Sequence, residues 1–185
     1  MFPSFFFLSM IKKTMALVKT IQGKTPKIGK DSWLAETATV IGEVQMGSQC
    51  TIWYNAVLRG DVNFIKLGDK VNVQDNAMVH CTYKKAGTSI GNEVTIGHNA
   101  IVHGCIIEDK VLIGMGSIVM DNAHVGQGAI VAAGAVVREN EKIPPHTLWA
   151  GVPARQVKEL DASESEKAIE HLANNYVMYA SWYKD

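Results

Sequence analysis

From Ile107 onward an aliphatic residue stands at every sixth position without a miss, through Ile113, Val119, Val125, Val131 and Val137 to Ile143. Four residues after each, a small or β-branched side chain recurs, at Val111, Ser117, Ala123, Ala129 and Ala135, until Glu141 breaks the run. Glycine often follows the aliphatic residue, as at Gly114 and Gly126. An amphipathic helix needs apolar residues three or four apart and a half-buried strand needs them two apart, so a period of six fits neither. Short strands separated by turns, three to a lap, satisfy both the period and the glycines. The aliphatic residue then points into a triangular prism, the small one fills its corner, and each lap rises by about 4.8 Å. The expected fold is an all-β solenoid, a parallel β-helix of six-residue repeats.

The same pattern fills the first half in other phases, through Leu34, Val40, Met46, Ile52, Leu58 and Phe64, then Leu67, Val73 and Val79, then Ile90, Ile96 and Val102. Each phase shift marks an insertion, here placed at Phe64 to Lys66 and in a five-residue loop between Val79 and Ile90. After Ile143 the repeat stops at Pro144 and Pro145 and gives way to a helical stretch. There Ser163 is the expected N-cap, with Glu164 and Glu166 in the first turn. Ile169, Leu172, Tyr176, Tyr179 and Tyr183 follow three or four apart, a stripe that would pack on the outside of the prism.

These boundaries divide the chain into a β-helix over 16–160 and a C-terminal helix over 161–185. The stretch MFPSFFFLSMIKKTM (1–15) has no basic residue before its apolar run, no small-residue cleavage site after it, and too little length to span a bilayer. It reads as a disordered extension, or as sequence preceding the true start at Met10 or Met15. The whole length suits one domain. Eighteen basic and eighteen acidic residues cancel, so no net field draws the chain to nucleic acid or to an anionic membrane, and neither is an expected partner. Cys50, Cys81 and Cys105 are odd in number and lack CxxC spacing, which points to buried thiols in a reducing compartment, the cytoplasm.

Counting three hexads per lap puts Val102 directly above Val79. His103 and His80 then stack on one face, about 5 Å apart at the backbone, with Arg59 one lap below. His98, two positions after Ile96, belongs to the preceding face and points away from the pair. One chain does not easily close a three-histidine site, but an adjoining prism in a three-fold assembly presents its His98 to the pair. Three neutral imidazoles plus water form the open tetrahedral set that catalytic zinc uses, and iron or cobalt can occupy the same nitrogens. His124, His146 and His171 share no such register and are read as structural.

Four segments carry a resemblance that spans about 20–160: RGDVNFIKLGDKVNVQDNAMVH (59–80), IGHNAIVHGC (96–105), IGMGS (113–117) and AGVPA (150–154). In these the chain resembles the γ-class carbonic anhydrase family of hexapeptide-repeat proteins. The resemblance implies a left-handed β-helix and a homotrimer with metal sites at its subunit interfaces. Zinc would be held by His80 and His103 of one subunit and His98 of its neighbour. The implied activity is attack of a zinc-activated hydroxide on carbon dioxide, a small-molecule substrate, giving bicarbonate.

By the same resemblance Arg59 and Asp61 correspond to the family's RGD segment, and Gln74 and Asp75 to its QD pair. Arg59 is expected to pair with Asp75 across the interface, Gln74 to hydrogen-bond near the reacting water, and Tyr176 to reach the site from the helix. Two departures stand out. The loop within CTYKKAGTS carries Lys84 and Lys85 and no acid, where the family's prototype has a proton-shuttling glutamate, and Val62 replaces a second glutamate. Two other readings stay open. One is an acyltransferase using acyl-CoA with a single histidine base, since such prisms and the GVPA segment also occur there. The other is a non-catalytic, zinc-stabilised trimeric scaffold.

Overall fold

The computed structural model describes residues 15–183, of which 17–159 build a parallel β-solenoid of about seven turns. Its laps superpose the inward residues in three columns. The first face stacks Val40, Leu58, Val79, Val102, Val119 and Val137. The second stacks Met46, Leu67, Ile90, Ile107, Val125 and Ile143. The third runs from Leu34 through Ile52, Val73, Ile96, Ile113 and Val131 to Trp149. Nearly all these side chains are buried, and the small residues of the corners, Val111, Ser117, Ala123, Ala129 and Ala135, are fully so. Cys50, Cys81 and Cys105 are free thiols that fill the same interior. Burial pushes Cys50 up to about 11 and Cys105 up to about 12, so neither is a ready nucleophile.

The corners explain the asparagines. A turn that reverses the chain this tightly needs one residue at positive φ, which glycine adopts freely and asparagine better than other side chains. Asn55, Asn76, Asn99, Gly116 and Gly134 supply it at the corner leading into the first face, one for each lap from Leu58 to Val137.

The inserted residues before the second face lie elsewhere than the periodicity predicts. The strand Thr39–Met46 pairs with Val57–Leu67 in register up to Gly42 and Gly60, then resumes at Val44 opposite Ile65. The extra residues therefore fall within Asp61 to Phe64, and Ile65, not Phe64, points inward. Phe64 is half-buried against Gly87, where a Cβ would meet its ring at 2.5 Å. The second insertion is as expected, a loop between the strands Met78–His80 and Thr88–Ile90.

At the C-terminal end Thr147–Ala150 pairs antiparallel with Arg155–Glu159, which covers the last sheet edge. Helix α1, Ala162–Ser181, then returns along the third face. Its N-cap is Asp161 and not Ser163: the Asp161 carboxylate accepts from the Glu164 amide at 2.9 Å. Its apolar side buries Ile169, Ala173 and Ala180. Tyr176 packs edge-on against Trp53, and Tyr183 meets Trp33 and Trp53, so the aromatic stripe does lie on the prism. Lys110 ties the helix down through Glu166 at 3.3 Å and Glu170 at 3.4 Å. No helix among the described residues is long and apolar enough to cross a membrane. The expected N-terminal extension lies, but for Met15, outside the described residues.

The columns make an asymmetric demand on sequence. Ile113→Ala, in the third column, is expected to lower stability by about 2–5 kcal/mol. Ile106→Ala, an outward residue 50% exposed, is expected to cost less than about 1 kcal/mol. Chemical denaturation of the two variants tests this; equal losses would mean that the inward assignment is wrong.

Candidate metal centre

Val79 and Val102 turn inward, so the residues that follow them turn out of the first face. His80 and His103 are direct partners across the ladder joining Met78–His80 to Ile101–His103. His80 Nδ1 lies 3.0 Å from His103 Nε2. Each ring keeps its other nitrogen on a carboxylate. His80 Nε2 is 3.1 Å from Asp61 Oδ1, and His103 Nδ1 is 2.5 Å from Asp121 Oδ1. Behind these, Arg59 Nη1 donates to Asp61 Oδ2 at 2.6 Å and the Thr82 hydroxyl donates to Asp121 Oδ2.

This wiring fixes the tautomers. A neutral His80 that donates Nε2–H to Asp61 has its lone pair on Nδ1, and a neutral His103 that donates Nδ1–H to Asp121 has its lone pair on Nε2. The two lone pairs then face each other, an arrangement that needs a proton or a cation between them. Two nitrogens bound at 2.0–2.1 Å to one tetrahedral zinc stand about 3.3 Å apart, close to the observed separation. Carboxylates behind the rings are what orient metal-ligating imidazoles and raise their basicity. The pair thus fits a metal.

Burial holds His80 below the ordinary imidazole value, Arg59 and His103 pushing the same way against Asp61, which favours the neutral, ligating form. Burial alone would raise Asp61, but hydrogen bonds from Arg59 and His80 outweigh it and keep the carboxyl below the usual range. Asp121 is likewise held low, Thr82 and His103 overcoming its burial.

His98 stands apart, in the turn after Thr95–Ile96, with Nδ1 2.9 Å from Asp75 Oδ2. Among the described residues no three His, Cys, Asp or Glu side chains of one chain converge on a metal-sized point. Nor does any ion pair among them join Arg59 to Asp75 within the chain: Arg59 is taken by Asp61, its near neighbour on the same strand, and Asp75 by His98. Gln74 is buried, donating to Asn72 Oδ1 at 3.0 Å, and Asn72 in turn donates to Thr95 at 2.8 Å. Gln74, His98 and Tyr176 together line an apolar cleft of about 440 Å³ between the third face and α1. The expected residues therefore form two groups, His80 and His103 with Arg59 and Asp61, and His98 with Gln74, Asp75 and Tyr176. His124 is paired with Glu108 and His146 lies near Glu166, away from both groups.

Asp121 and Thr82 are the residues that the periodicity did not reveal. A signal existed: Val119 stacks on Val102, so Asp121 is one lap above Gly104, beside His103. Gly104 itself has φ 57, and a Cβ there would meet Asp121 Oδ1 at 2.4 Å.

The solenoid and its paired imidazoles define a hexapeptide-repeat protein, and the family described as bacterial transferase hexapeptide (six repeats) matches residues 104–139. The chain is 43% identical to the mitochondrial γ carbonic anhydrase 2 of Arabidopsis thaliana, over 85% of its own length and 58% of that protein's. It is 39% identical to a carbonic anhydrase of Geobacillus kaustophilus, over 91% of each chain. A Bacillus cereus crystal structure, described as that of a supposed acetyltransferase, shares 40% identity and a TM-score of 0.85, covering 91% of this chain and 97% of that one. The chain belongs to the γ-carbonic-anhydrase-like family of hexapeptide-repeat proteins. It spans less than two thirds of the length of the plant relatives.

If the carboxylates orient ligands, Asp121→Asn is expected to weaken zinc retention about 10- to 100-fold against a competing chelator, with the thermal transition little changed. Gly104→Ala acts in the same direction by displacing that carboxylate. Unchanged retention in both would mean that the pair does not hold metal through His103.

Proposed function

We propose that the protein reversibly hydrates carbon dioxide to bicarbonate at zinc sites shared between copies of itself in a three-fold assembly. The observation that carries this reading is the 3.0 Å approach of His80 Nδ1 to His103 Nε2 with a carboxylate behind each ring. His98 of an adjoining copy completes the ligand set. The exterior of the first face supports such a neighbour: Val57, Met78, Ile101, Ile118 and Val136 stand outward in one ladder beside the histidine pair, with Ile101 37% exposed. Such a ladder is costly to leave in water.

Zinc held by His80, His103 and the adjoining copy's His98 would supply the acidification of water, from a pKa of about 15.7 to about 7, that the reaction needs at neutral pH. The chain's own residues do the rest. Arg59 keeps Asp61 ionised so that it always accepts from His80. Gln74, clamped by Asn72, offers its remaining amide groups at the mouth beside His98. The apolar cleft behind it suits carbon dioxide better than a hydrated ion. The three buried thiols favour a reducing compartment such as the cytoplasm.

The loop between Met78–His80 and Thr88–Ile90 exposes Tyr83, Lys84 and Lys85 and offers no carboxylate to carry protons away. That favours, as a second reading, a slow enzyme or a zinc-held scaffold. Elemental analysis of zinc-loaded protein is expected to give one metal per chain, three per trimer. Stopped-flow carbon dioxide hydration is expected to exceed that of His103→Ala by at least about tenfold, set by one lost ligand to the acid-activating metal. A full metal complement with no rate above the variant would leave the scaffold. Fewer than one metal per three chains would remove the shared site altogether. The Bacillus cereus relative's description makes acetyl-CoA consumption the control for transferase activity.

A further inference from the structure

The aromatic residues of α1 do more than glue it to the prism. Sharing His98 and Tyr176 with the apolar cleft, a second cleft of about 220 Å³ is lined also by Trp53, Tyr179, Trp182 and Tyr183, and Asp75 forms part of its wall. The rings are not stacked in parallel. Trp53 meets Tyr176 at 82° and Tyr183 at 88°, and Tyr176 meets Tyr179 at 70°, so they enclose space from several sides. Trp182 and Tyr183 remain 64% and 49% exposed, an unusual amount of aromatic surface left at one place.

Among the described residues neither lysine nor arginine lines this cleft, and its carboxylate is Asp75, whose Oδ2 lies 2.9 Å from His98 Nδ1. Burial raises the Tyr176 hydroxyl above its ordinary value, and Asp75 pushes the same way. Aromatic faces are electron-rich and attract cations, most of all cations whose charge is spread over methyl groups and weakly hydrated. An anion would meet repulsion from Asp75, and a neutral apolar molecule would strip water from the carboxylate with nothing to replace it.

We propose that this cleft binds a small alkylated ammonium ion, the rings receiving its methyl groups and Asp75 lying opposite its charge. All of these residues belong to one chain, and because Asp75 also holds His98, probing the protein with and without zinc separates this binding from the metal site.

The test uses the full-length protein, with and without zinc, titrated by calorimetry with choline chloride against its neutral carbon isostere, 3,3-dimethylbutan-1-ol, in constant salt. Choline is expected to bind saturably and at least tenfold more tightly than the isostere. Trp182→Ala and Tyr179→Leu are each expected to weaken choline at least fivefold, and Asp75→Asn to abolish the preference for choline over the isostere. Equal binding of the two probes would reduce the cleft to an apolar hole and overturn the proposal. So would the absence of saturable choline binding, including the case where a neighbouring copy fills the cleft, or choline binding indifferent to both aromatic variants.

Discussion

Each lap of this solenoid must set its inward aliphatic residue on the one below, and every other feature of the molecule inherits its position from that stacking. A side chain next to an inward residue has no choice but to point out, and its partner one lap away points out beside it. His80 and His103 approach because Val79 and Val102 are stacked. The same constraint confines irregularity to the corners, where added residues bulge outward without breaking a column. Both insertions, at Asp61 to Phe64 and between His80 and Thr88, border the histidine pair. The first brings Asp61 to His80, and the second brings Thr82 to Asp121.

Stacking also places the orienting carboxylates. Val73 sits under Ile96, so Asp75 sits one lap under His98, with which it pairs. Asp121 lies one lap above the residue after His103. Only Asp61 depends on an insertion. Three imidazoles are thus each braced by an acid before any metal arrives, two of them by the plain repetition of the lap. Bracing of this kind lowers what must be ordered on binding, and it selects the neutral tautomer with its lone pair in a set direction.

The periodicity was legible because a column tolerates little but aliphatic residues over many laps, and the His80 and His103 pair was legible because register is arithmetic once the period is known. What lay beyond reach was decided by local choices between near-equivalent residues. Phe64 and Ile65 are both apolar, and the six-residue count alone favoured Phe64; the outcome depended on where the chain bulges, which hydrophobicity does not report. Ser163 and Asp161 are both good N-caps, and Asp161 prevails because the strand Arg155–Glu159 ends just before it. Alternation along a strand already put Asp61 on the same side as Arg59, two residues away, and the bond between them follows from it, whereas a pairing of Arg59 with Asp75 between copies belongs to the assembly. Asp121 follows from the same register one lap above Gly104, but an acid at a single corner carries no periodic signal of its own.

The separation of His98 from the other two imidazoles follows from geometry. Inward stacking aligns residues along a face but never across one, and His98 belongs to a corner leading into the first face rather than to its column. A single prism of this design can therefore bring two imidazoles together and orient a third, but convergence of all three needs a second surface. The apolar ladder from Val57 to Val136 lies beside the pair that is short of a ligand, so the area that would gain most from being covered is the area where a further ligand is wanted. Assembly and metal binding would then be linked: each copy that docks buries apolar surface and also supplies a third nitrogen to the cation that relieves the opposition of the two lone pairs. A chain in which the ladder was polar would lose both together, even with all its histidines intact.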